Sequence, residues 1–153
     1  MPHRSAVRVF QGLGEPTRLR IAALLAATGA RACVCELSDA LDEPVYKVSR
    51  HLNVLEGAGL LASTREGRWM YYAFTHPAPL GGALKATLTG LGDSVGQLAG
   101  DRQRFAARLA LREGGRCVVW KLDPGQLGRP RTTHRRTAGK GRRRTSQVAA
   151  LVR

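Results

Sequence analysis

No apolar run in the 153-residue sequence approaches the ~18 residues that a membrane-spanning helix needs. The opening stretch, MPHRSAVRVFQGLGEPTRLR, also lacks the apolar segment of a signal peptide, which predicts a cytoplasmic location with reduced thiols. Cysteine is scarce, with residues at 33, 35 and 117 only. Three cysteines make no disulfide framework, and in a reducing compartment they read as metal ligands or redox thiols. Acidic residues are few: 11 Asp and Glu face 25 Lys and Arg, a net charge of +14. Such an excess points to an acidic partner, most commonly nucleic acid, against the blander reading of a solubilising surface with a basic tail. Catalytic patterns are lacking too. There is no Ser/His/Asp order, no paired catalytic carboxylates and no CxxC on a βαβ frame, and Gly12-Leu13-Gly14 is too weak to count as a phosphate-binding loop. An enzyme is not expected, and no resident cofactor is required.

What is present is mostly helical periodicity. Residues 1–12 read as a short helix carrying Val7, Val9 and Phe10. Glu15-Pro16-Thr17 opens a second helix, since Pro suits a first turn, and Gly29 stops it. Residues 33–41 read as a third helix, Asp42-Glu43-Pro44 as a turn, and the following residues to about Glu56 as a fourth helix with Val48, Leu52 and Leu55 on its inner side. Leu60 to Arg65 and Arg68 to Phe74 are extended-type runs with Glu66-Gly67 between them as a two-residue turn, hence a β-hairpin. Leucines and other apolar residues recur at helical spacing from 80 to 113, weakened by Gly90, Gly92, Gly96 and Gly100, where a kink or close helix packing is plausible. Cys117-Val118-Val119-Trp120 reads as an extended apolar arm. Residues 121–153 carry ten Lys or Arg and one Asp and are expected to be disordered, either adding salt-sensitive attraction to DNA or serving as an inert extension. The expected division is 1–113 for DNA binding and dimerisation, 114–120 for the arm and 121–153 for the tail.

A short helix, a tight turn, a longer helix and a hairpin make a winged helix-turn-helix: mainly α with a small β-hairpin. The outward residues of the second helix would be Val45, Tyr46, Lys47, Ser49, Arg50 and Asn53. Arg50 and Lys47 suit guanine or phosphate, Asn53 suits adenine and Ser49 a phosphate. Arg65 and Arg68 at the hairpin tip would enter a minor groove or grip phosphates. His51 is read as a packed histidine rather than a base reader, and Trp69, Tyr71 and Tyr72 as hairpin packing.

The segment CVCELSDALDEPVYKVSRHLNVLEGAGLLASTREGRWMYYAF, residues 33–74, resembles the ArsR-type metalloregulatory repressors, in particular their arsenic-responsive members. The resemblance extends over roughly residues 6–113. Its most specific pieces are Cys33-Val34-Cys35-Glu36-Leu37, Val48-Ser49-Arg50-His51-Leu52, Gly59-Leu60-Leu61 and Arg65-Glu66-Gly67-Arg68-Trp69-Met70-Tyr71-Tyr72. It implies a homodimer paired through the N- and C-terminal helices, bound to double-stranded operator DNA and released when metal binds. Two departures stand out. Pro44 and Val45 occupy positions where many relatives place Ser and Gln, so the operator sequence does not carry over. Ser38 stands where many arsenic-type relatives have a third cysteine.

With the site so implied at Cys33 and Cys35, donor chemistry narrows the inducer. Trivalent arsenic or antimony is satisfied by three thiolates, or by two and an oxygen, whereas structural zinc wants four ligands. The region from 80 to 113 contains no histidine and the N-terminal segment no cysteine, which disfavours the other metal sites of the family. As(III) or Sb(III) is therefore the expected inducer. Cys117 is the candidate third ligand, its alternative being a small apolar residue packed with Val118 and Trp120. Residues two apart on a helix are rotated by ~200°, so binding both thiolates is expected to unwind the first turn of the third helix and so weaken the grip on DNA. A thiol redox switch with lowered cysteine pKa values, a Cd-, Pb- or Zn-responsive member of the same family and a constitutive DNA-binding protein are the alternatives.

Overall fold

The structure, a computed structural model, describes residues 2–75 and 79–120. Six helices and three short strands follow in the order α1 (His3–Leu13), α2 (Pro16–Thr28), β1 (Ala32–Cys33), α3 (Val34–Leu41), α4 (Val45–Gly57), β2 (Leu61–Glu66), β3 (Trp69–Phe74), α5 (Gly81–Ser94) and α6 (Gly96–Leu109). The arrangement is the winged helix-turn-helix, with α3 and α4 as the paired helices and β2–β3 as the wing. The tail from 121 onward lies outside the described residues.

Local chemistry sets the boundaries. The Glu15 carboxylate accepts the Arg18 N–H at 2.9 Å and Pro16 stands in the first turn of α2, so an orphan donor is satisfied and a missing one costs nothing. Gly29 closes α2 in the left-handed region at φ 63°. Asp42, also left-handed at φ 53°, ends α3, and the Ser38 hydroxyl donates to the Glu43 carbonyl at 2.5 Å across the same corner. This corner sets the angle between α3 and α4. One core runs through all the elements, with Ile21, Leu25, Leu37, Leu41, Val48, Leu52, Leu55 and Phe105 at its centre. Gly12 lets α1 approach, since a Cβ there would stand 3.1 Å from the Ala58 Cβ.

The structure amends the expected elements in four places. The C-terminal helical stretch is two helices, because the backbone turns extended at Val95 (φ −109°, ψ 110°), and α6 stops at Leu109 rather than 113. The reason lies in the glycine-rich seam, where Gly92 is covered by the Arg102 guanidinium, which donates to the Thr89 carbonyl and to Asp93 at 2.8 Å each and so bridges the break. The wing turn is Gly67-Arg68, not Glu66-Gly67, because Glu66 still pairs with Trp69 and Gly67 supplies the left-handed φ of 60°. The sheet has three strands in the order β1-β3-β2, with Ala32 opposite Tyr72 and Cys33 opposite Tyr71. Cys33 therefore precedes α3 in extended backbone (φ −85°, ψ 166°) instead of sitting inside it.

Gly29 offers a test of the helix ending alone, because nothing lies within 4 Å of where its Cβ would be. Gly29→Ala should destabilise the chain by about 1–2 kcal/mol, the cost of forcing a side chain into left-handed backbone, measured by thermal or urea denaturation.

Candidate metal centre and nucleic-acid interface

The extended conformation of Cys33 puts its side chain beside that of Cys35 at the start of α3. The two Sγ atoms lie 2.9 Å apart, and Cys117 from the arm after α6 places its Sγ 3.5 Å from that of Cys35. All three sulfurs lie within 4.8 Å of one another, all are buried and all are free thiols. The 2.9 Å contact is far longer than a disulfide at ~2.05 Å. Two residues apart is thus no obstacle to convergence, because one of the pair lies before the helix begins.

Buried charges hold this corner closed. The Glu36 carboxylate accepts the Cys33 N–H at 3.0 Å and takes both arms of the Arg112 guanidinium at 2.8 Å. Burial works against that carboxylate, yet the Arg112 fork and the Cys33 amide together hold it below the usual value near 4.5. Arg112 also donates to the Arg31 carbonyl at 2.6 Å and lies over the Tyr71 ring at 5.6 Å. Arg108 pairs with Asp39 at 2.8 Å and directs its Nη2 to the Val119 carbonyl at 2.5 Å. Tyr71 accepts the Cys117 N–H at 2.9 Å through its hydroxyl, and Trp120 stacks on Trp69 with ring centroids 5.8 Å apart. Through these contacts the arm is fastened to α6 and to the wing. The Cys35 side chain and burial push the Cys33 thiol well up, and burial does the same to Cys117. The lowered pKa that a redox switch would need is absent at these two thiols. Ser38, which is buried, holds the α3–α4 corner and takes no part in the cluster.

The residues expected to face DNA fall on two surfaces. Tyr46, Arg50 and Asn53 are exposed and follow one another by four and three residues, a single face of α4. Val45, Lys47 and Ser49 are half-buried, and the Lys47 ammonium meets Glu43 at 2.9 Å. At the wing tip Arg65 and Arg68 are exposed; Arg65 folds back to the Gly67 carbonyl at 3.2 Å, and Arg68 lies 5.0 Å from the Trp69 ring centre. His51 is half-buried and lies 3.5 Å from Glu15, a packed position. Sequence reasoning missed Arg108, Arg112 and Asp39. Their only trace is a spacing of four between arginines 104, 108 and 112 and of three between Glu36 and Asp39, and nothing in a single sequence pairs residues some seventy positions apart.

A winged helix is the architecture of a DNA-binding regulator, and in this one a buried thiol cluster stands at the start of α3. Residues 13–64 match the family described as a helix-turn-helix domain. An HTH-type transcriptional regulator of Methanocaldococcus jannaschii, MJ1325, is 41% identical over 70 residues, which span 46% of this chain and 78% of that protein. The arsenical resistance operon repressor of Escherichia coli is 40% identical over 73 residues, 48% of this chain and 62% of its own length. The arsenic resistance transcriptional regulator ArsR1 of Pseudomonas putida is 46% identical over 69 residues, 45% of this chain and 52% of its own. The chain belongs to the ArsR-type helix-turn-helix transcriptional regulators. It spans less than two thirds of the arsenic-resistance regulators that it matches. No described helix is long and apolar enough to cross a membrane.

The Glu36–Arg112 pair carries a pH signature. Because the folded-state carboxyl titrates lower than the free one, its stabilisation is complete above the ordinary carboxylate value and disappears as pH falls through the folded value. Glu36→Gln should cost about 3 kcal/mol at neutral pH, and the gap to wild type should close on acidification, as read from urea midpoints at a series of pH values.

Proposed function

We propose that the chain is an arsenic-responsive transcriptional repressor of the cytoplasm, which binds operator DNA as a homodimer and releases it when Cys33, Cys35 and Cys117 take up As(III) or Sb(III). The observation that carries this reading is the convergence of three buried thiol sulfurs within 4.8 Å, from the start of α3 and from the arm. Three soft donors suit a pyramidal trivalent ion and fall one short of a four-coordinate zinc site. On the DNA side, α4 would present Tyr46, Arg50 and Asn53 to the major groove while Val45, Lys47 and Ser49 flank it, and Arg65 and Arg68 would meet the backbone or minor groove at the wing. Exposed Val7 and Phe10 on α1 are the apolar surface that pairing through the terminal helices would cover.

Charge favours arsenic over a divalent metal. Arsenous acid is neutral; each hydroxyl it loses leaves as water with one thiol proton, so three thiols yield a neutral tris-thiolate. Cadmium or lead with three thiolates would leave one net negative charge in a buried corner whose nearest cations, Arg108 and Arg112, are already paired with Asp39 and Glu36. The raised thiol pKa values impede proton loss to a divalent ion but not an exchange that ejects water. Burial and protonation also count against peroxide sensing. An open cleft lined by Glu66, Arg68, Trp69, Cys117 and Val118 lies beside the cluster, and the inducer would enter from there.

Fluorescence anisotropy of a labelled fragment from the regulator's own promoter tests the reading. Arsenite should release wild type, while Cys33→Ser, Cys35→Ser and Cys117→Ser should each hold DNA and need at least about tenfold more arsenite, a loss of ~1.4 kcal/mol. Release of all three variants at the wild-type arsenite concentration would overturn it. Arsenite affinity should stay nearly flat between about pH 6 and pH 8, below the thiol range, whereas cadmium affinity should climb about tenfold or more per unit as thiol protons must leave as free protons.

A further inference from the structure

Arg108 is fully buried, and its planar head joins three parts of the molecule. Nε donates to the Asp39 Oδ2 on α3 at 2.8 Å. Nη2 donates to the Val119 carbonyl of the arm at 2.5 Å and lies 3.7 Å from the Cys117 sulfur and 3.9 Å from the Cys35 sulfur. Nη1 has no hydrogen-bond partner among the described residues. A buried ion pair is poor value as a stabilising device, since apolar replacements of similar volume are often as stable or more so, and an unpartnered buried donor makes it poorer. Stability therefore does not explain why a guanidinium stands against the thiols.

We propose that Arg108 is the positioning residue through which occupancy of the thiol site reaches the DNA-reading unit. The proposal rests on the reading of the cysteines as As(III) ligands. Capture of As(III) engages the sulfur lone pairs that face Nη2 and re-seats the close-set sulfurs around one ion, and with Cys117 it shifts Val119, whose carbonyl is the strongest acceptor of the same nitrogen. The guanidinium is rigid and planar, so displacement of its Nη2 edge displaces Nε as well. Nε holds Asp39, three residues before the left-handed corner at Asp42 that sets the angle of α4. The route from metal to DNA thus needs no unwinding of α3.

Three variants test this on the full chain: Arg108→Lys, Arg108→Met and Asp39→Asn. The measured quantities are arsenic bound per chain, read by the near-ultraviolet sulfur-to-arsenic absorption, and DNA affinity with and without arsenite. The expected result is one arsenic per chain and DNA affinity without arsenite near that of wild type. The ratio of the two DNA affinities should fall at least about tenfold in Arg108→Met and Asp39→Asn, with Arg108→Lys intermediate because it keeps the charge and loses the fork. Wild-type coupling in both Arg108 variants, in a set where wild type itself responds, overturns this proposal and leaves the arsenic reading standing. Parallel loss of arsenic binding and of arsenite-free DNA binding in all three variants reduces Arg108 to a structural clasp and also overturns it. A wild type that binds no arsenic overturns both readings.

Discussion

Buried ion pairs between α6 and α3 are the constraint on which the rest depends. Arg108 on α6 pairs with Asp39, and Arg112, three residues past the end of α6, pairs with Glu36, so α3 is held at two points three residues apart, one by the helix and one by the chain that leaves it. Arg20 from α2 and Arg104 from α6 both reach Asp101, and they also donate to the Leu41 and Ala40 carbonyls at the end of α3. Such pairs are weak sources of net stability but strict about geometry, since a broken one leaves a buried charge. The Arg112 contacts with Glu36 and the Arg31 carbonyl aim the chain that leaves α6, so that the Gly114-Gly115 turn, left-handed at both residues, brings Cys117 back over the beginning of α3.

Convergence of the thiols follows from this placement and from a detail of helix starts. The residue before a helix is extended, so its side chain does not obey the 100° step that separates residues within the helix. Cys33 uses that freedom, held by the Glu36 carboxylate on its amide and by pairing with Tyr71 across the sheet. A soft ion would find its donors already gathered. On the proposed route the signal would need no local unwinding of α3 and would pass through the network around Arg108 and the arm.

Much of the fold was legible because its cues are local. Glu15-Pro16 and Gly29 bracket α2, and Val48, Leu52 and Leu55 mark the inner face of α4 at helical spacing. The wing was readable from its aromatic strands, although the turn moved by one residue because Gly67 had to occupy the left-handed position. The break at Val95 was only half visible: the glycines warned of it, but the guanidinium of Arg102 that covers Gly92 is a tertiary fact. Strand β1 was hidden because two residues carry no periodicity; it exists by pairing with β3. The three cysteines could be listed from sequence, and so could the exposed residues of α4. Arg108, Asp39 and the Tyr71 hydroxyl could not, since their roles depend on contacts between distant segments.

Everything proposed for the inducer requires that the start of α3 and the arm after α6 together make one three-sulfur site. X-ray absorption at the arsenic edge of the arsenite-loaded chain tests it most directly. Wild type should show a single shell of three sulfurs, falling to two sulfurs and one oxygen in Cys117→Ser. A two-sulfur shell in wild type, or a shell unchanged by that substitution, would contradict it.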